Sequence, residues 1–374
     1  MKKFFTSFFL ISGILTNNSY SQKYDSISCK IFEWNLGYTC DAGRNFTGGI
    51  KPGNGFMGLI DAGVIIHSNK LWRGGSLSFQ LMNTYGRNLS ENFIGDLQIA
   101  SNIENGNYTF VENLIYRQDF SKLSLLFGLQ DLNAEFCVSE YGGALTNSSF
   151  GIHSTFPLNF GVPIYPKTAL AIAGLYAIND NFSIRVSLWD GDAGSLEDDP
   201  HNFDWSISSE EGFLTVEEIE YKSSSEKLTD IKVGMFYHTG EFINTDDDTS
   251  TIKENMGFYA ICDKQLCING SRTFGTFGQL AVFPSNANFN TAYIGAGLTF
   301  SGIMEKRPDD CMAAGLAYSI LFDDTYECDI ELYYCFAFGN HISVQPAFHY
   351  ILNRGANQGF DNAFAGFVRI SLSL

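Results

Sequence analysis

The chain lacks, beyond its amino terminus, any hydrophobic run long enough to form a transmembrane helix. Such a helix needs about 20 mostly apolar residues, whereas the longest later run, residues 169–178, has ten. Lys2 and Lys3 precede the apolar residues 4–15, and a Ser19-Tyr20-Ser21 sequence follows. This order is typical of a cleaved export signal. We therefore expect residues 1–21 to be a signal peptide and residues 22–374 to form one exported domain.

Basic residues are scarce. Without Lys2 and Lys3, 21 basic residues face 41 acidic ones, which leaves a net charge of −20. Nucleic-acid binding depends on cationic contacts to phosphates, so this composition excludes a nucleic-acid partner. Only 17% of the residues are charged, whereas 15% are aromatic. That balance favours the apolar band and aromatic girdles of a membrane barrel, although a soluble β-sandwich is also rich in phenylalanine.

Proline is rare, with eight residues in 374, and long stretches alternate between apolar and polar side chains. This period of two is typical of β-strands. Up to about residue 54 we expect only one short strand, over residues 31–38, followed by a glycine-rich loop that contains Arg44. The clearer strands include residues 77–81, 108–120, 123–129, 182–188, 231–237 and 368–374. At about ten residues for each spanning strand, the mature chain supplies roughly 16 strands.

The eight cysteines and six histidines form no known metal-binding or catalytic motif. No pair of cysteines has the spacing of a zinc knuckle, and no metalloprotease, nucleophile-elbow or nucleotide-binding sequence occurs. We therefore expect no enzyme activity, no metal and no cofactor. Cys262 and Cys267 flank a four-residue sequence that resembles a hairpin loop, so a disulfide between them is one interpretation; the other cysteines allow many pairings.

Residues 84–104 depart from the strand pattern. A Gly86-Arg87 turn precedes Ser90, which can cap the amides of a short helix over about residues 90–100. Phe93, Ile94 and Leu97 then share one helical face. The segment also carries polar residues that can bind hydroxyl groups, namely Asp96, Gln98, Asn102 and Glu104. A capped surface helix explains the spacing equally well.

Two further polar groups follow strands. Asp131 and Asn133 come at a strand end, where they either meet sugar hydroxyls or close an Asx turn. Trp189 and Trp205 lie near carboxylates such as Asp192, so they either stack on sugar rings or belong to an interfacial girdle. Arg117 is a further candidate for the lumen.

Several of these sequences resemble the carbohydrate-selective porin family (OprB type). The segment from Gly86-Arg87 through Ile94-Gly95-Asp96-Leu97-Gln98 to Ser101-Asn102-Ile103-Glu104 resembles the hallmark of that family. Weaker likenesses continue at intervals over residues 128–136, 147–151, 189–192, 201–205, 212–214, 257–259, 293–298, 342–346 and 349–351. The resemblance implies an outer-membrane barrel and a preference for sugars.

We therefore expect an all-β protein, an antiparallel transmembrane barrel of about 16 strands, with the short helix folded in toward the lumen. Its expected function is the passive, selective diffusion of small carbohydrates across the outer membrane. The expected partners are sugars and outer-membrane lipid, and the sequence leaves homo-oligomer formation open. Three alternatives remain at this stage: a general, cation-preferring porin, a barrel with a plugged lumen, and a secreted carbohydrate-binding β-sandwich.

Overall fold

The structure is a computed structural model that describes residues 31–223, 227–270, 272–352 and 359–374. The expected signal peptide and Cys29 lie outside these residues. Sixteen strands form one closed antiparallel barrel in which each strand pairs with its neighbours in sequence and β1 pairs with β16. The strands are β1 (Phe32–Thr47), β2 (Gly53–His67), β3 (Gly75–Arg87), β4 (Tyr108–Asp119), β5 (Leu123–Gln130), β6 (Ala169–Ala177), β7 (Phe182–Asp190), β8 (Phe213–Lys222), β9 (Thr229–Asn244), β10 (Asp247–Asn269), β11 (Arg272–Val282), β12 (Asn290–Ser301), β13 (Cys311–Leu321), β14 (Tyr326–Phe338), β15 (Ile342–Leu352) and β16 (Ala363–Ser373).

The two faces of the wall decide between the barrel and the sandwich. Along β16, Phe364, Val368 and Ile370 are exposed, whereas Ala365 and Arg369 are buried. The other strands repeat this arrangement, with large apolar side chains outside and many charged ones inside. A soluble sandwich would bury its apolar set instead. The expected barrel is therefore confirmed, and the sandwich alternative is wrong.

A buried ion pair lies across the closure of the barrel. Asp41 on β1 stands opposite Arg369 on β16. The Arg369 guanidinium donates to both Asp41 carboxylate oxygens, at 2.9 and 2.8 Å. The Ser101 hydroxyl donates to the same carboxylate at 2.6 Å. This pair therefore joins the first strand, the last strand and a connecting segment.

Two sequence-based expectations for the wall are wrong. Arg44 lies within β1, which runs on to Thr47, and β2 was not expected at all. Cys262 and Cys267 are both free thiols on β10, whose strand continues through the sequence taken for a loop. Five residues of extended strand span about 16 Å. A disulfide needs Cα atoms within about 7 Å, so these two thiols cannot pair.

The two ends of the barrel differ. At the end where β1 begins and β16 stops (the terminal end), the connections between strands are at most nine residues long. At the opposite end (the loop end), residues 88–107, 131–168 and 191–212 form long connections. Connections at the loop end contain 17 acidic and three basic residues, against five acidic and six basic at the terminal end. Within the described part of the chain, no helix is long and apolar enough to cross a membrane.

Replacement of Asp41 by Ala should destabilise the barrel by about 3–5 kcal/mol, because it leaves the buried Arg369 charge without its partner. The urea midpoint of the detergent-refolded protein, followed by the gel mobility of folded and unfolded forms, measures this loss. Arg44→Ala is the control, since Arg44 is exposed and its guanidinium donates to the Asn54 side chain at 2.9 Å. Equal midpoints for the two variants would contradict a structural role of the ion pair.

Candidate functional site

Two long connections from the loop end fold back into the barrel. Residues 88–107, the first inner segment, contact β14 through the Leu97 and Gln98 amides. Residues 131–168, the second inner segment, contact β11 through Phe150, whose ring lies 5.7 Å from that of Phe277. In the ring of sixteen strands, β14 stands five positions from β3 and β11 stands six positions from β5, the strands that lead into these segments. Both segments therefore cross the lumen.

The first inner segment contains a shorter helix than the sequence predicts. Only Ser90–Ile94 is helical, as one π-helical turn, and Gly95 ends it in a left-handed conformation with φ of 78°. Ser90 does not cap the turn; its hydroxyl accepts a bond from the Ala100 amide at 3.2 Å. The expected helix over residues 90–100 therefore stops about halfway, and Leu97 lies beyond it.

Glu104 supplies the missing cap. Its carboxylate accepts hydrogen bonds from the backbone amides of Leu89, Ser90 and Glu91, at 3.0–3.1 Å. Free amides at the start of a helix attract negative charge, so a carboxylate is well suited to this position. Burial raises the pKa of Glu104 to about 7, although the amides of Ser90 and Glu91 oppose that shift. Glu104 thus holds the segment in shape.

Carboxylates of β14 anchor both inner segments to the wall. Glu327 accepts from the Leu97 and Gln98 amides at 3.0 Å. Glu331 accepts from the Thr146 amide at 2.8 Å, the Thr146 hydroxyl at 2.8 Å and the Asn147 amide at 2.9 Å. Hydrogen bonds to a charged acceptor are worth about 1.5–3 kcal/mol each. β14 therefore fixes the position of both segments.

Two further strands anchor the second inner segment in the same way. Asp263 on β10 accepts from the Ser139 hydroxyl at 2.8 Å and from the next two backbone amides at 2.9 and 3.0 Å. Glu218 on β8 accepts from the Cys137 amide at 3.0 Å. Lys232 on β9 donates to the Val138 carbonyl at 2.8 Å. Every residue from 137 to 141 thus has a bond to the wall.

The sequence analysis did not identify these anchors. The sequence pattern that could have revealed them is a carboxylate at every second position of a strand, as in Glu327, Asp329 and Glu331 of β14, which are all buried.

Aromatic side chains close the part of the lumen next to β9–β12. Phe156 of the second inner segment lies 5.2 Å, ring to ring, from both Phe236 and Phe283. His153 packs against Tyr259 at 5.3 Å. Burial lowers the pKa of His153 to about 3, so its ring is neutral. This aromatic packing narrows the lumen beside these strands.

The predicted polar residues of the first inner segment differ in burial and in their hydrogen-bond partners. Asp96 and Asn102 are half-buried, and each has one side-chain oxygen without a hydrogen-bond partner among the described residues. The other Asp96 oxygen accepts from the Ala100 amide at 2.8 Å. Gln98 is buried and donates to the Ala317 and Glu327 carbonyls at 3.3 Å. These two oxygens are themselves buried, so only the exposed remainder of the Asp96 and Asn102 side chains can contact a solute. Gln98 binds the wall.

The two candidate arginines are separated. Arg87 is exposed at the end of β3, with its guanidinium 4.4 Å from the centre of the Phe93 ring, a cation–π contact. Arg117 on β4 forms ion pairs with Asp119 at 2.8 Å and with Glu135 of the second inner segment at 3.6 Å. Arg117 therefore acts as another anchor.

Asp131 and Asn133 shape the start of the second inner segment. The Asp131 carboxylate accepts from the Asn133 amide at 2.7 Å and caps the short helical turn Leu132–Ala134. Burial raises the pKa of Asp131 to about 6. The Asn133 side chain donates to the Phe136 and Gly151 carbonyls at 3.1 Å. Asp131 thus forms an Asx turn, the second of the two interpretations of the sequence. The turn begins the second inner segment and does not close a hairpin.

The two tryptophans do not form one platform. Trp189 is buried edge-on against Phe136, 6.5 Å between ring centres, and its indole nitrogen donates to the Ser187 hydroxyl. Trp205 is exposed in the connection 191–212, where its indole nitrogen donates to the Asn202 carbonyl at 2.7 Å. Asp192 is exposed and accepts from the Gly194 amide at 2.8 Å. Trp189 is therefore inaccessible to a sugar.

Replacement of Glu331 by Gln should loosen the second inner segment, because an amide group cannot accept from three donors as a carboxylate does. We expect a larger single-channel conductance and more open-channel noise in planar bilayers, with the barrel still folded. Glu112→Gln is the matched control, since the buried Glu112 carboxylate accepts from the Asn113 side chain of the same strand. An unchanged conductance for Glu331→Gln would contradict the anchoring role.

Known proteins share the sequence pattern and the architecture of this chain. The profile of the family described as carbohydrate-selective porin, OprB family, matches residues 68–374. Porin B of Pseudomonas aeruginosa is 22% identical over 406 aligned positions, which cover 91% of this chain and 87% of that protein. The high-pH structure of Pseudomonas putida OprB has a TM-score of 0.84 at 18% identity and covers 92% of this chain and 94% of its own.

A more distant structure shares the fold. The anion-selective porin from Comamonas acidovorans has a TM-score of 0.57 at 8% identity, with 92% of this chain and 99% of that chain covered. The profile match extends from β3 to β16 and therefore includes both inner segments. This chain belongs to the carbohydrate-selective porin (OprB) family.

Proposed function

We propose that small sugars cross this outer-membrane porin passively, along a path beside the first inner segment. The observation that supports this path is that the side chains of Asp96 and Asn102 are only half-buried and that Ile99, between them in the sequence, is exposed. The alternative side of the lumen, next to β9–β12, is narrowed by aromatic rings. The bonds from Glu104 and Glu327 keep the first inner segment in place.

The segment offers a sugar the two kinds of surface that it needs. Carboxylate and amide oxygens accept hydrogen bonds from hydroxyl groups, and apolar side chains pack against the C–H face of a pyranose ring. Ile99 is exposed and Leu97 is half-buried, beside Asp96 and Asn102 in the sequence. A sugar would exchange water for these groups one at a time. Each contact must be weak, because a tightly bound sugar would not leave.

Other site residues have secondary parts in this proposal. Arg87 and Trp205 are exposed at or near the loop end and would meet a sugar before it reaches the first inner segment. Glu104, Gln98, Arg117, Asp131 and Asn133 would act by holding the inner segments in place. No step needs catalysis or an energy source. We also propose that residues 1–21 are cleaved as a signal peptide and that the protein forms a homo-oligomer.

The alternative is a general, cation-preferring pore, whose current sugars would not block. A preference for cations is compatible with both functions. The connections at the loop end carry 14 more acidic than basic residues, whereas the terminal end carries one more basic residue. Fixed negative charge at one mouth enriches cations there. We infer that any accompanying ion current is carried mainly by cations.

Replacement of Asn102 by Ala should weaken the block of single-channel current by mono- and disaccharides. Loss of one hydrogen bond of about 1 kcal/mol corresponds to about a five-fold higher half-blocking concentration. The open-channel conductance should not fall, because the smaller side chain widens the path. Asn340→Ala, in an exposed turn at the terminal end, is the control. Sugars should block its current at the same concentrations as in the parent. Equal block in Asn102→Ala and parent would overturn the proposed path, and a parent indifferent to sugars would favour a general pore.

The acidic loop end should also make the current asymmetric. In a salt gradient we expect a reversal potential that favours K⁺ over Cl⁻, and unequal currents at opposite voltages. Both effects should fade at 1 M salt, where the Debye length is about 3 Å. Neutralisation of four acidic residues of the connection 191–212, Glu197, Asp198, Glu210 and Glu211, should reduce the asymmetry. A reversal potential that favours chloride in the parent would contradict the inference.

A further inference from the structure

The register between β13 and β14 places two cysteines directly opposite each other. Cys311 begins β13, and its partner on β14 is Cys335. Opposite residues of antiparallel strands have Cβ atoms about 4.5–5.5 Å apart, and a disulfide needs about 3.5–4.5 Å. The two thiols are free in the structure. A small approach of the two strands is therefore enough to join them.

Both cysteines belong to the lumen face of the wall. Ala313 and Tyr333, which lie two residues from Cys311 and Cys335 along their strands, are buried inside the barrel. The Cys311 sulfur lies 3.9 Å from the Tyr333 hydroxyl. Cys335 is buried, and Cys311 is half-buried near the terminal end. A small reagent that enters at that end would reach Cys311 first.

Neighbouring residues already hold the two strands together at this point. The Asp310 carboxylate, next to Cys311, accepts two bonds from the Arg307 guanidinium at 2.6 and 3.0 Å. The same carboxylate accepts from the Ala337 amide at 3.0 Å and from the Tyr334 hydroxyl at 2.9 Å. These bonds connect the start of β13 to residues on both sides of Cys335. The two sulfur atoms are thus kept near each other before any covalent bond forms.

Within the described ranges, the strand register pairs no other two cysteines. Cys137 lies in the second inner segment. The remaining four stand opposite other residue types: Cys40 opposite Ile370 and Gly58, Cys262 opposite Gly278 and Ile231, Cys267 opposite Phe274, and Cys328 opposite Tyr318 and Leu352.

We propose that Cys311 and Cys335 form a cross-strand disulfide in the exported protein. The oxidant is a small-molecule or protein disulfide, since exported proteins meet oxidising conditions. The Cys311 thiolate attacks one sulfur of that disulfide and releases its other sulfur as a thiol, which leaves a mixed disulfide on Cys311. The Cys335 thiolate then attacks the Cys311 sulfur and releases the second thiol. The oxidant gains two electrons and two protons, which the two cysteines lose.

Peptide mapping of the full chain purified from outer membranes tests this proposal. Free thiols are alkylated before lysis, and the protein is digested and analysed by mass spectrometry without reductant. We expect one species that joins the Cys311 and Cys335 peptides with two hydrogen atoms fewer than their sum, while Cys262 and Cys267 are alkylated. In Cys311→Ser, Cys335 should become alkylated. Alkylation of both residues in the parent, or a link from either to another cysteine, would overturn the proposal.

A stability measurement separates the disulfide from the other thiols. The bond would close a loop between residues 24 positions apart, and such a closure restricts the unfolded chain. Reductant should therefore lower the urea midpoint of the parent. The Cys311→Ser/Cys335→Ser variant, shown to be folded by its gel mobility, should have the lower midpoint and no response to reductant. A parent midpoint that is insensitive to reductant would contradict the proposal, as would a variant that still responds to it.

Discussion

Buried carboxylates that accept backbone amides are the interaction on which the inside of this barrel depends. The inner segments contain little regular structure, so some of their amides, such as those of Leu97, Gln98 and Thr146, take their acceptors from the wall, and an unpaired buried amide is costly. Glu218, Asp263, Glu327 and Glu331 supply the missing acceptors from the wall. A carboxylate has about four acceptor sites and no donor. One such side chain can therefore satisfy two or three successive donors, and the acidic excess of the sequence is partly a means of holding the lumen in shape.

Much of the fold could be predicted from the sequence, because apolar and polar side chains alternate along many of the strands. The hairpin of β4 and β5 and the last strand were identified in this way, and the closed barrel of 16 strands is confirmed. β2 was not expected, because glycines at positions 53, 55, 58 and 63 interrupt its alternation. The choice between barrel and sandwich could not come from periodicity, since both have the same pattern and differ only in which face meets solvent. Family resemblance supplied that choice.

The candidate site was harder to predict because its residues act on chain segments that are distant in sequence. Glu104 was expected to meet sugars but caps the turn at Ser90, 14 residues earlier. Trp189 was expected to be accessible but is buried by Phe136, whose position depends on the fold of the second inner segment. Asp96 and Asn102 are half-buried, so part of each side chain remains a candidate for sugar contact. Local spacing can indicate which side chains are polar, but it cannot show whether the wall or a solute is their partner.

The anchors on β14 also constrain the order in which the chain folds. Leu97 and Thr146 bind Glu327 and Glu331, which lie 230 and 185 residues later in the sequence. Neither inner segment can therefore reach its final position until the carboxyl-terminal part of the wall exists. Contacts of such long range form slowly, and until then the amides of these segments must remain hydrated. The narrowing of the lumen therefore cannot be complete before β14 has taken its place in the wall.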